Sequence, residues 1–91
     1  MNFEWDESKR EKNIAKHGID FVRAINVFDD DNRVERIDSR CDYGETRYQV
    51  IGMVDDKIIL FVVHVNRNEN IRIISARRAN KIEIGDYYGN S

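Results

Sequence analysis

The residues best equipped for chemistry in this chain are basic. Ile71-Arg72-Ile73-Ile74-Ser75-Ala76-Arg77-Arg78 is an apolar alternating run that meets a serine and then two arginines. The pattern predicts a strand running into a helix, with Ser75 at the N-cap. Free backbone N–H groups and the positive end of a helix dipole would then lie beside two guanidiniums. Such an arrangement repels itself unless an anion binds there. A phosphate is the anion expected, and RNA the expected source of it. Neighbouring side chains diverge by about 100° on a helix, so Arg77 and Arg78 are expected to divide their roles. The plainer reading is a surface pair that bridges to Glu83 or to the acidic N-terminal half.

Glu45 and Arg47 are two apart in a stretch with strand character, so they share a face, together with Gln49, Ile51 and Met53. Either they form a cross-strand ion-pair ladder, or Arg47 belongs to a binding surface. If Arg72 lies on the same sheet face, the protein has a basic surface built on rigid strands. Guanidiniums there could grip phosphates bidentately and stack on bases.

His17 sits in Lys16-His17-Gly18, beside a chain reversal. An imidazole there could take a proton from a ribose 2′-hydroxyl or give one to a leaving oxygen. Otherwise it is a helix-terminal residue that favours the dipole. His64 closes an oily strand and reads as structural. Cleaving RNA requires that the 2′-OH lose a proton, that charge on the scissile phosphate be stabilised, and that the 5′-oxygen be protonated. Arginines can supply the second need, and a Glu or His the others. No cofactor is expected. No His-x-x-x-His pair, Cys/His cluster or Gly-rich nucleotide loop is present in the sequence. Asp29-Asp30-Asp31 reads as a solvated turn, because no second carboxylate cluster has the spacing a magnesium site needs.

These residues need a scaffold, and 91 residues suit one domain over residues 1–91. The net charge is −2, but 12 acidic and 8 basic side chains fall in residues 1–46, against 5 acidic and 7 basic in residues 47–91. That asymmetry permits a local basic cleft on an acidic body, and two partners of opposite charge. Cys41 is alone. No apolar run is long enough to cross a membrane, and Glu4, Asp6 and Glu7 sit where a signal peptide would be basic. A reducing cytoplasm is the expected compartment.

The periodicity predicts a first helix capped by Asp6 and running to about Lys16, with Gly18 at its C′ position. Its apolar face is thin, Ile14 and Ala15. Asp20 caps a second helix whose buried side is Phe21, Ala24, Ile25 and Phe28. The period then changes to two. A short polar strand around Val34 and Ile37 is followed by strands over Arg47–Val54, Lys57–Val65 and Asn70–Ser75. Asp55-Asp56 and the Asn66–Asn70 stretch provide turns. The third of these strands is apolar on both faces and should be central. Ala76–Ile84 is expected to be helical, with Ala79 and Ile82 buried, Gly85 weakening its end, and Tyr87 and Tyr88 packing back on the sheet. The expected fold class is α+β: two N-terminal helices, a four-stranded antiparallel sheet and a C-terminal helix.

Several of these residues fall in one ordered set. Phe3-Glu4-Trp5-Asp6, Asn13, Lys16-His17-Gly18, Phe21, Ala24 and Phe28 open it. Tyr43-Gly44-Glu45-x-Arg47, Gly52, Ile73-Ile74-Ser75-Ala76-Arg77-Arg78-Ala79 and Glu83 complete it. The set resembles the BrnT family, the toxin half of a type II toxin–antitoxin pair, over almost the whole chain. The resemblance implies a compact RelE-like ribonuclease that inhibits translation by cutting RNA. It implies neutralisation by a BrnA-like antitoxin whose ribbon-helix-helix part binds operator DNA, and toxin that is dimeric within the complex. Carried onto this sequence, it marks His17, Glu45, Arg47, Ser75, Arg77 and Arg78. Arg47 and Arg77 are expected to stabilise phosphate charge, His17 or Glu45 to move protons, and Lys12, Lys16 and Arg72 to steer RNA. Ile84-Gly85-Asp86 is apolar, flexible and acidic, a departure from the long basic C-terminal helix expected to strengthen the RNA grip. The acidic Asp29–Asp31 stretch is expected to help hold a basic antitoxin tail. The rival readings are a non-catalytic RNA-binding module and a protein-interaction subunit of a transcriptional repressor complex.

Overall fold

The computed structural model describes residues 2–39 and 44–89. Cys41 and Tyr43, on which part of the sequence reading rests, lie outside the described residues. The elements are β1 (Asn2–Glu4), α1 (Glu7–His17), α2 (Phe21–Ala24), a 3₁₀ stretch over Ile25–Asp29, β2 (Val34–Asp38), β3 (Arg47–Val54), β4 (Ile58–Arg67), β5 (Asn70–Arg78) and α3 (Lys81–Gly89). The strand order is β1-β5-β4-β3-β2, with β1 parallel to β5 and the other neighbours antiparallel. The fold is α+β, but the expected four-stranded antiparallel sheet is in fact five-stranded and mixed. The chain opens on a strand, and its second helix is a single α turn continued as 3₁₀. A three-residue strand is too short to show a period, and its partner lies at the far end of the chain. Neither fact is visible in a local pattern.

Local signals set the other boundaries. The Asp6 carboxylate accepts from the Ser8 and Lys9 N–H groups at 2.8 and 3.3 Å, and Gly18 ends α1 at φ 71° while donating to Ile14 O at 2.8 Å. Asp55 and Asp56 adopt φ of 56° and 54°, as a type I′ turn requires, and Lys57 N–H donates to Val54 O at 3.2 Å. Asn68 and Glu69 do the same between β4 and β5, with φ of 49° and 69°. The reversal is therefore tighter than the expected Asn66–Asn70 loop, and β4 runs on to Arg67.

One sheet face packs on α2 and the 3₁₀ stretch. Phe21, Ala24, Val27 and Phe28 meet Val50, Val54, Leu60, Val62, Ile73 and Ala76 in one buried cluster. Gly52 permits this approach, since a Cβ there would fall 2.9 Å from Val27 Cβ. The other face buries Ile51, Phe61 and Val63 under Tyr87 of α3. On α1 the buried residue is Asn13 rather than an apolar one. Its amide donates to Ala76 O and Ile19 O, each at 2.8 Å, and accepts from Ala76 N–H at 3.1 Å. Asn13 thus finishes the edge of β5 where β1 has ended.

The expected helix from Ala76 is a correction. β5 continues to Arg78, so Ser75 is a mid-strand residue and caps nothing. The helix begins at Lys81 behind a capping box: Glu83 N–H donates to Asn80 Oδ1 and Asn80 N–H to Glu83 Oε1, both at 2.9 Å. Arg77 and Arg78 therefore lie on a strand and not in a first helical turn. Ile82 is 76% exposed and Tyr88 58%, against the expectation that both would pack inward; Glu83 and Tyr87 are the buried residues of α3. Gly85 lies inside the helix.

Asp29 and Asp31 are exposed, as a solvated turn requires, but Asp30 is not free. Its carboxylate accepts from Tyr87 OH at 2.6 Å, Met53 N–H at 2.8 Å and Asn32 N–H at 2.9 Å. Burial acts to raise the Asp30 carboxyl, but these bonds outweigh it and the net shift is downward. Tyr87 is pushed up to about 12 by burial and by the Asp30 charge.

Candidate active site

The strand ladder fixes which basic side chains share a face. Arg47 on β3 and Arg72 on β5 are both direct partners of Val65 on β4. Residues directly opposite one another point to the same side of a sheet. Glu4 on β1 pairs with Arg72, and Asp38 on β2 with Arg47. One transverse row, Glu4-Arg72-Val65-Arg47-Asp38, therefore crosses all five strands. Two strand spacings put the Arg47 and Arg72 backbones roughly 10 Å apart. Val65 between them is 1% exposed, which suits a residue flanked by two long aliphatic stems.

The next row adds Arg67. Its guanidinium makes a two-pronged contact with Glu45, 3.2 Å from Nε to Oε2 and 2.7 Å from the terminal nitrogen to Oε1. The Glu45 carboxyl is held below the usual carboxylate range, first by that bond and then by the charges of Arg67, Arg47 and Arg72. Arg67 is the guanidinium in contact with this carboxylate, while Arg47 and Arg72 act on it by charge alone. Glu4 is held down too, first by the Asn70 amide at 3.0 Å and then by Arg72 at 2.7 Å. These pairs lie at the surface: the side chains are 47% exposed for Arg67 and 38% for Glu45. Exposed pairs of this kind contribute little and exchange readily for another anion.

Arg77 lies on the same face, opposite Phe61, with Ser75 between it and Arg72. Its situation differs from that of Arg47. It makes two 2.8 Å bonds to Glu83 and lies 4.2 Å over the Phe61 ring. The Glu83 side chain is only 9% exposed. Burial acts to raise Glu83, yet the Arg77 and Asn80 bonds bring it below its ordinary value. The plainer reading of Arg77, a bridge to Glu83, is the one the structure shows. Arg78 points to the opposite face, paired with Leu60, and is exposed.

Lys12, Lys16 and His17 stand apart from this row. The Arg72 charge reaches Asp6, while Asn13 is bonded to Ala76, so α1 runs beside β5 from the Arg72 end towards Arg78. His17 comes one turn beyond Asn13, half-buried, and Lys12 and Lys16 are exposed. Two strands across and three residues along separate Arg47 from the Asn13 contact, so His17 is roughly 15 Å or more from Arg47.

The structure sets Arg47 and Arg72 in one row with Glu45 near enough to feel their charge, sets Ser75 and Arg77 further along the same face, and leaves His17, Lys12, Lys16 and Arg78 elsewhere. It also adds Arg67, Glu4 and Asn70. Arg67 could have been found, since it lies two residues beyond Val65 and alternation puts both on one face. Glu4 could not, because β1 carries no strand signal. Among the described residues no three His, Cys, Asp or Glu side chains are grouped to hold a metal ion, and no helix is long and apolar enough to cross a membrane.

Residues 5–83 match the family model described as the ribonuclease toxin, BrnT, of type II toxin–antitoxin systems. The crystal structure of the Brucella abortus ribonuclease toxin BrnT superposes with a TM-score of 0.68 at 31% sequence identity, covering 89% of this chain and 99% of that one. No curated protein matches the chain significantly.

Proposed function

The chain belongs to the BrnT family of ribonuclease toxins of type II toxin–antitoxin systems, and on that premise we propose that it cuts RNA without a metal ion, at the arginine-bearing end of the sheet. The observation that carries this reading is the placement of Arg47 and Arg72 on either side of Val65 on one sheet face, beside the Arg67–Glu45 pair. A phosphodiester seated on Arg47 and Arg72 displaces the Glu4 carboxylate from the Arg72 guanidinium. Glu45, kept ionised by its neighbours, takes the 2′-hydroxyl proton. The 2′-oxygen attacks the adjacent phosphorus, and the arginines hold the charge that develops on the phosphoryl oxygens. The bond to the 5′-oxygen breaks, and solvent at this open rim supplies the proton that oxygen needs. A 2′,3′-cyclic phosphate and a 5′-hydroxyl result. Ser75 and Arg77 border the path, while Lys12, Lys16, Arg78 and His17 lie where a longer RNA could reach them around the β5 edge.

Neutralisation by a cognate BrnA-like antitoxin is part of the same proposal. A partner that covers the arginine face would exclude RNA, and operator DNA would be reached only through that partner. Asp29 and Asp31 are the acidic residues free to meet a basic antitoxin segment, whereas Asp30 is committed to Tyr87 and Met53.

The test is cleavage of RNA by purified, antitoxin-free protein in EDTA. Wild type should cut, while Arg47→Ala and Glu45→Gln of unchanged thermal stability should be slower by about two orders of magnitude or more. His17→Ala should stay within about tenfold of wild type. Cleavage that survives both Arg47→Ala and Glu45→Gln would reject the site. Saturable binding without product would favour the non-catalytic module.

A further inference from the structure

The two edges of the sheet are finished differently. At one edge β1 and the Asn13 amide complete β5. At the other, β2 is the last strand among the described residues. It carries Ile37, which is 64% exposed although β-branched and apolar. Ile37 pairs with Tyr48 and so lies on the α2 side of the sheet. Beside it opens a pocket of about 360 Å³ lined by Glu35, Arg36, Ile37, Tyr48, His64 and Asn66. His64, 4% exposed, has both ring nitrogens buried without a hydrogen-bond partner. Among the described residues no strand lies beyond β2, and such an edge is a template for another strand.

We propose that β2 pairs antiparallel with β2 of a second copy of this chain, in a register centred on Ile37. Such isologous pairing requires a two-fold axis normal to the sheet, so one residue must sit opposite itself. Centring on Glu35, Arg36 or Asp38 sets identical charges face to face, which destabilises a pair. Centring on Val34 places most of the strand against the preceding turn. Centring on Ile37 sets two exposed isoleucines opposite one another at the mouths of the two pockets. It also places Arg36 opposite Asp38 of the partner subunit, and Glu35 opposite Ser39 of the partner subunit. Few residues pair in this way and the buried area is below that of a stable dimer. The dimer is therefore weak, with a dissociation constant on the order of 10–100 μM. Because the axis is normal to the sheet, both Arg47-Arg72 rows fall on one side of the joined sheet. That consequence alone rests on the RNA reading above; the pairing itself does not.

Sedimentation equilibrium of the purified chain from about 1 to 500 μM, a range bracketing that constant, should show a monomer–dimer equilibrium. Ile37→Lys should weaken association at least about tenfold, with cleavage of short RNA unchanged. In a Cys41→Ser background, Ile37→Cys should form a disulfide-linked dimer on mild oxidation. Glu35→Cys should not, because two copies of residue 35 are four positions out of register. A chain that stays monomeric throughout, association untouched by Ile37→Lys, or equal cross-linking at both positions would each overturn the proposal. So would a monomeric chain in which Ile37→Lys abolishes only antitoxin binding, since the edge would then belong to a different occupant. Loss of cleavage activity with the dimer intact would bear on the catalytic reading and not on this one.

Discussion

Arg47 and Arg72 flank Val65 on one face of the sheet, each its direct ladder partner from opposite sides. Both backbones are paired on each side within the sheet, Arg47 as the first residue of β3 and Arg72 as the third of β5. The separation of their backbones is set by strand spacing, and the carboxylates of Glu4 and Glu45 hold the guanidiniums of Arg72 and Arg67. On the proposed reading such a fixed spacing preorganises the site for an anion, which is the condition under which charge stabilisation accelerates a reaction.

Removing Arg47 or Arg72 should act on chemistry more than on folding. Each is half-buried at a surface rim, so Arg47→Ala and Arg72→Ala should shift the melting temperature little. Each should lower kcat for RNA cleavage by about 10²–10³. Arg67→Ala should chiefly weaken binding of a non-cleavable 2′-O-methyl RNA and reduce its log–log salt slope by about 0.7. Equal losses in kcat for all three would contradict this division of labour.

Arg77 should behave in the opposite way. Its guanidinium is the partner of a carboxylate that is almost wholly buried, so Arg77→Ala leaves Glu83 uncompensated and should destabilise the fold by about 2–3 kcal/mol. Arg77→Lys should recover part of this. The pH dependence follows from the direction of the Glu83 shift, which is downward from 4.5. A depressed carboxyl contributes stability that is present above its unfolded value and is lost as pH falls through the folded one. The stability gap between wild type and Arg77→Ala should therefore be full at pH 7 and shrink below about pH 4.5. Urea titrations at pH 7, 5 and 3.5 would decide it; a gap that is constant with pH would show that Arg77 acts through Phe61 packing alone.

Much of this architecture was legible in the chain because it is written locally. The Asp6 and Asp20 caps, the Gly18 terminus, β3 and the Asp55-Asp56 turn each depend on a few consecutive residues. The placement of Arg47 and Arg72 on one face was legible only as a condition, since alternation gives each strand two faces but not their register with the next. What was lost depends on distant partners. β1 is three residues whose only signal is β5. Ser75 looked like a cap because it closes an alternating apolar run just before two arginines, but the true box, Asn80-x-x-Glu83, stood five residues on. With β5 extended, Arg77 and Arg78 alternate across the sheet, and the apparent pair of phosphate ligands separates into a structural residue and an outlying one.

His64 should make the protein sensitive to mild acid. The ring is stacked with Tyr48 at 5.4 Å and edge-on to Phe28 at 5.3 Å, and burial lowers its pKa from the ordinary 6.5, the Glu35 charge being the first of the effects that oppose it. The unfolded chain thus takes up the proton more readily than the folded one. Stability is full above about pH 6.5 and declines as pH falls from there towards the folded value. His64→Leu should flatten the melting temperature between pH 7 and 5, and be near neutral or stabilising at pH 7, because it removes two buried nitrogens that lack partners. An unchanged pH slope in that variant would assign the acid sensitivity to another group.

Asn13 should be among the costliest single positions to lose, although it is a polar residue on a polar helix. Its amide satisfies three buried backbone groups: Ala76 N–H, Ala76 O and Ile19 O. Truncation to Ala strands all three at a place where β1 no longer reaches. Each buried orphan costs about 1–3 kcal/mol, less whatever water can recover at a strand edge, so Asn13→Ala should cost about 3 kcal/mol in all. For a domain of this size that is a fall of roughly 12–20 °C in melting temperature. Asn13→Asp preserves shape but cannot donate to the two carbonyls, and should be no better than Ala at neutral pH. Amide exchange supplies the specific readout: the Ala76 N–H should lose protection in Asn13→Ala more than the N–H groups on β3 do. Uniform loss of protection across the sheet would mean that Asn13 matters only through global stability and not as the closure of the β5 edge.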